Sequence, residues 1–120
     1  MTDRELLELA AKAAGIHIDK SPHNGGGHGN TGFDSLGNAV LDWHNNKRWN
    51  PLADDGDALR LAVKLHITVV VEGDQPDDIA RRTKAVHRLI GDRCESHRSD
   101  PRAATRRAIV RAAAEIGKMG

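Results

Sequence analysis

A chain of 120 residues, 38% hydrophobic and 29% charged, has room for one modest core and not for two. Residues 1–80 carry 7 Lys/Arg against 13 Asp/Glu, a net of −6, and residues 81–120 carry 11 against 4, a net of +7, so the two halves are expected to pair in the fold more than to leave a basic face. One cysteine excludes an internal disulfide, no run is apolar enough to span a bilayer, and Met1–Glu5 lacks the pattern of a secretory leader, so the expected location is the cytoplasm.

The core has to be aliphatic, because Phe33, Trp43 and Trp49 are the whole aromatic set. Thr2 and Glu5 have the spacing of a capping box, in which each side chain satisfies a backbone N–H at the start of a helix. Leu6, Leu9, Ala10 and Ala13 then form one helical stripe, and Gly15 suits the left-handed position that ends it. Ile16-His17-Ile18 alternates like a short strand. Residues 20–37, with Gly25-Gly26-Gly27-His28-Gly29 at their centre, have little to bury and are expected to form a flexible loop within the single domain 1–120.

Asn38 to Trp49 has the pattern of a hairpin turning at Asn45-Asn46-Lys47. A three-residue loop there would set Trp43 opposite Trp49. Pro51 ends the strand, and Asp54 or Asp55 caps a helix with Ala58, Leu61, Ala62 and Leu65 inside. His66-Ile67-Thr68-Val69-Val70-Val71-Glu72 is the strongest strand signal, since β-branched residues dominate it. Residues 77–99 are ambiguous: Ile79, Thr83, Val86 and Ile90 repeat at helical spacing, but Ala85–Gly91 would also serve as a strand, and a helix or irregular segment is the expectation. Asp100 and Pro101 open a last helix at N-cap and N1, with Arg102, Arg106, Arg107 and Arg111 toward its polar side. These elements predict an α+β fold, a small and mainly antiparallel sheet packed against N-terminal, middle and C-terminal helices.

Most clusters that could carry chemistry have simpler explanations. His23, His28, His87, Cys94 and His97 are loosely spaced and offer no second cysteine, so no metal site is expected. Asp54, Asp55 and Asp57 are sufficiently explained by capping, although paired carboxylates can also bind Mg²⁺ or move protons. The glycine-rich run lacks the Lys-Ser/Thr that completes a phosphate loop, and no nucleophile motif is present, so no cofactor is expected and the reading leans away from catalysis. The remaining group is Trp43, Trp49, Asn50 and Arg60 with Arg102, Arg106, Arg107 and Arg111. An indole can stack on a base and guanidinium groups can hold phosphate; the competing reading is that the indoles cap the core while the arginines are merely solvated.

Three stretches carry a resemblance. Thr2-Asp3-Arg4-Glu5-Leu6-Leu7-Glu8-Leu9-Ala10-Ala11-Lys12-Ala13-Ala14-Gly15-Ile16, the Trp49-Asn50-Pro51-Leu52-Ala53-Asp54-Asp55-Gly56-Asp57-Ala58-Leu59-Arg60-Leu61-Ala62-Val63 block and the Ala104-Thr105-Arg106-Arg107-Ala108-Ile109-Val110-Arg111-Ala112-Ala113-Ala114-Glu115-Ile116-Gly117 tail together resemble a family of small tailed-phage and prophage accessory proteins. The resemblance implies a setting in the bacterial cytoplasm, where phage proteins of this size act against host immunity. The leading expectation is a non-catalytic sponge that sequesters a small nucleotide signal. The alternatives are a protein-binding inhibitor of a host defence complex, of the anti-CRISPR type, and a small nucleotide-processing enzyme. No membrane or long nucleic acid is expected as a partner, and a homo-oligomer fits so small an aliphatic core.

Overall fold

The structure, a computed structural model, describes residues 1–18, 32–42, 46–72, 81–97 and 100–119. In chain order its elements are α1 (Asp3–Ala13), β1 (Gly32–Phe33), β2 (Ala39–Asp42), β3 (Lys47–Trp49), α2 (Asp55–Leu65), β4 (Thr68–Glu72), β5 (Arg82–His87), β6 (Gly91–Ser96) and α3 (Pro101–Met119). The strands make two antiparallel sheets of three, ordered β1-β2-β3 and β4-β5-β6, and the fold is α+β. No described helix is long and apolar enough to cross a membrane.

Each helix starts where its cap dictates. The Glu5 N–H donates to Thr2 Oγ1 at 3.1 Å, the Asp57 N–H to Asp54 Oδ2 at 2.8 Å, and the Ala103 N–H to Asp100 Oδ1 at 3.1 Å. Each bond satisfies a donor that the helix itself cannot. Two of the helix ends are alike as well. After α1, Gly15 takes φ +75°, and the Ile16 and Gly15 N–H groups return to the carbonyls of Ala11 and Lys12. After α2, His66 takes φ +57°, and Ile67 and His66 return to Ala62 and Val63. Both are Schellman turns, one built on glycine and the other on a residue with a Cβ.

The long helix α3 is the hub. It packs against α1, α2, β5 and β6, and Ala104, Ala108, Ile109, Val110, Ala112, Ala113, Ala114 and Gly117 are buried along it. Small side chains let neighbours approach closely from several directions. At Gly117 the approach is backbone to backbone: a Cβ there would sit well inside van der Waals distance of the Leu9 carbonyl oxygen on α1. Leu6, Leu7, Ala58, Leu61, Trp49 and Ala85 complete the core from the other elements.

One buried polar chain crosses between the second sheet and α3. Thr105 Oγ1 donates to the Pro101 carbonyl at 2.8 Å and lies 2.8 Å from Thr83 Oγ1, which lies 2.8 Å from His97 Nε2. Thr105 has spent its only proton, so Thr83 donates to it and in turn accepts from His97. The chain therefore puts a proton on Nε2. Thr83 and His97 are the buried polar residues of the described core, and no buried side-chain polar atom there lacks a partner.

Several elements differ from the sequence-based expectation. Residues 82–96 form the β5–β6 hairpin instead of a helix or irregular segment, turning at Gly91 with φ +73°. Ile16–Ile18 is not a strand. Gly32 and Phe33, assigned to the loop, pair with Val40 and Ala39, and Arg4 of α1 stacks 4.5 Å from the Phe33 ring centroid. Asp34 closes the turn that follows: its carboxylate accepts from the Leu36 and Asn38 N–H groups at 2.9 Å each. Residues 20–31, with His23, His28 and the glycine run, lie outside the described residues. The hairpin register also differs. Trp49 sits opposite Ala39: Lys47 already belongs to the ladder and pairs with Asp42, and a bulge between Val40 and Asp42 shifts the register by one residue more. Trp43 lies outside the described residues.

Candidate ligand-binding site

Trp49 ends β3 and is 7% exposed. It belongs to the hydrophobic core and also lines a cavity of about 390 Å³, alongside Leu41, Ile16 and Leu61. That volume is within the range of small-molecule sites. The polar part of the wall is strongly cationic, with Lys47 and Arg48 from β3, Arg60 and Lys64 from α2, and Asp57 as its single carboxylate.

Helix geometry explains how α2 supplies its share. Residues 58, 61, 62 and 65 face the core, which leaves 57, 60 and 64 on the adjoining stripe, three and seven residues apart and on one side of the cylinder. Three residues of β3 bring Lys47 and Arg48 to the opposite rim, immediately before the indole they frame.

The cations are not equally free. Arg60 donates to Asp57 Oδ1 at 2.6 Å and approaches Asp54 at 3.8 Å. Arg48 donates to Asp34 at 3.0 Å. Partial desolvation raises Asp34, but the N–H groups of Asn38 and Leu36, the Asn38 side chain and Arg48 together hold its carboxyl below the ordinary value. Lys47 and Lys64 are exposed and form no ion pair with any described residue. Asp57 accepts from the Asn50 N–H at 2.9 Å as well as from Arg60, so both of its oxygens are engaged and it is poorly placed to act as a base.

Of the eight residues expected at a nucleotide site, Trp43 lies outside the described residues and the other seven do not converge. Trp49 and Arg60 share the cavity. Asn50 is a joint beneath it: its side-chain amide donates to Asn38 at 3.0 Å, and its Oδ1 accepts from the Leu52 N–H at 3.0 Å. The arginines of α3 are elsewhere and paired. Arg106 donates to the Leu52 carbonyl at 2.8 Å and to Asp55 at 2.6 Å, and Arg102 approaches Asp55 at 3.7 Å. Arg107 donates to Asp3 at 3.0 Å, and Arg111 to the Cys94 carbonyl at 3.1 Å and to the Glu95 carboxylate. Arg106 and Arg107 thus join the basic half of the chain to the acidic half, as the charge division led one to expect.

Sequence reasoning missed Lys47, Arg48 and Lys64. Their signal was present, as two cations directly before Trp49 and a lysine four residues after Arg60. Other clusters do not form sites. A larger concavity, about 610 Å³, runs along α1 to Ile18 and carries Glu5 and Glu8 against Lys12, a poor match for an anion. Among the described residues no three His, Cys, Asp or Glu side chains could hold a metal ion together, and His87 Nδ1 accepts from the Leu89 N–H. No family model, no curated protein and no solved structure matches this chain.

Proposed function

We propose that the chain binds a small phosphorylated nucleotide in the Trp49 cavity and sequesters it unchanged. The observation that carries this reading is the pair of exposed lysines, Lys47 and Lys64, which line the Trp49 cavity and form no ion pair with a described residue. An apolar, polarisable residue in the lining suits a base, and ammonium groups suit phosphate. Arg48 and Arg60 would join them only by exchanging a carboxylate for the ligand, which favours a ligand with more than one negative charge. The single carboxylate, already accepting from two donors, favours holding over turnover. Set beside the resemblance to phage accessory proteins, this reading is of a sponge that acts against a host immune signal.

Isothermal calorimetry against cyclic and ADP-ribose-type nucleotides tests it. At least one should give saturable heat, and chromatography of the bound fraction should recover it intact. Replacing both Lys47 and Lys64 by Ala should weaken that binding about tenfold, a loss of about 1.4 kcal/mol. Absence of heat across the panel would overturn the reading, and recovery of a converted nucleotide would replace it with an enzymatic one.

A further inference from the structure

β4 is the edge of its sheet. It pairs with β5 through five successive positions without a bulge, and no described strand lies on its other side. Natural edges are blunted by lysine, proline or a bulge. Thr68-Val69-Val70-Val71-Glu72 has none of these. The register puts Val69 and Val71 on the face shared with Ala85 and Thr83, and Thr68, Val70 and Glu72 on the other. Val69 and Val71 line an open groove of about 390 Å³ with Ala58 and Leu59 of α2 and Thr105 and Ile109 of α3. Leu59 and Val71 of its lining are 63% and 59% exposed, the exposed Asp55 and Arg102 line it too, and Val70, on the other face of the strand, is 40% exposed.

We propose that β4 pairs with β4 of a second copy of this chain, antiparallel about a two-fold axis at Val70, so that the two sheets become one of six strands. The strand's own pattern selects this occupant. With the axis at Val70, Val69 meets Val71 of the second copy and Thr68 meets Glu72: apolar against apolar on the groove face, and a hydroxyl donor against a carboxylate on the other. Moving the axis to Val69 or Val71 sets a valine against Thr68 or Glu72, and a one-residue slip turns the groove face outward. A two-fold interface uses the same patch twice, so a self-complementary strand suffices. Lasting interfaces bury about 800 Å² per partner, more than five paired residues supply. Leu59 of α2, which lines the groove with Val71, extends the patch in that direction.

Light scattering after size exclusion should give twice the 13.0 kDa chain mass. Val71→Lys and Leu59→Lys should each return it to the single-chain mass with the helical circular dichroism unchanged. With Cys94→Ser as background, Val70→Cys should oxidise to a covalent dimer, whereas Asp92→Cys, on the far edge of the sheet, should not. A wild-type chain that stays at single mass as concentration rises overturns the proposal. So does a dimer indifferent to both lysines, cross-linking at 92 but not at 70, or a single chain holding a different protein on this edge. Should Val71→Lys fail to fold, Leu59→Lys and the cross-link decide.

Discussion

On α3, Arg106, Arg107 and Arg111 each reach an acid or a backbone carbonyl from another part of the chain, whereas Lys47 and Lys64 line the Trp49 cavity and form no ion pair with a described residue. Both regions are rich in cations; partnering separates them. The helix spends its charge on joining α1, α2 and β6 to the hub. The cavity keeps two charges in reserve. A cation that already donates to a carboxylate must lose that bond before it can serve a ligand, so residue type alone is a poor guide to a binding surface.

The contrast predicts that changes in the α3 layer cost stability and changes on the cavity rim cost binding. The largest effect is expected at Gly117, where an added methyl must push α1 off α3. Gly117→Ala should cost about 3 kcal/mol, read from the urea midpoint. Arg106→Ala comes next, because it removes the donor to the Leu52 carbonyl and the nearer of the two arginines at Asp55. About 2 kcal/mol is expected, with nucleotide binding unchanged once the variant is folded. The Lys47→Ala, Lys64→Ala double variant should do the reverse, shifting stability by no more than about 0.5 kcal/mol while binding falls. Loss of stability in that variant, or loss of binding in Arg106→Ala, would erase the distinction.

Acid gives the smallest effect and touches both regions. Lys84 holds Glu72 below its ordinary value, Lys118 does the same for Glu115, and the turn donors and Arg48 do so for Asp34 despite its desolvation. A folded pKa below the unfolded one stabilises at higher pH, and that contribution is lost as pH falls through the folded value. The thermal midpoint should therefore decline below about pH 4.

Local signals were legible in the sequence wherever one residue does the work. Thr2, Asp54 and Asp100 announced the three helix starts, Gly15 the end of the first, and the valine run of β4 its strand. The β5–β6 hairpin was hidden for a physical reason. Ala85 is its only fully buried apolar residue, and its other inward position, Thr83, is stabilised by a hydrogen bond to Thr105, twenty-two residues later. A polar residue made internal by a distant partner has no hydrophobic period to read. The position of Trp49 depended on where the hairpin turns, since Lys47 is in the strand and not in the turn, and on a bulge, which leaves no compositional mark. Of the candidate site, the indole and Arg60 could be named from residue type, but the fate of the α3 arginines rested on Asp3, Asp55 and Glu95, whose positions only the fold supplies.

The hub arrangement has a consequence for synthesis. α3 lies later in the chain than every element it packs against, so a nascent chain that has emerged as far as β6 still lacks the surface on which Leu6, Leu7, Ala58 and Ala85 close. Until the ribosome releases that helix, those side chains have only water or a chaperone for company, and folding should come as one late, cooperative event instead of a stepwise accretion from the first helix onward.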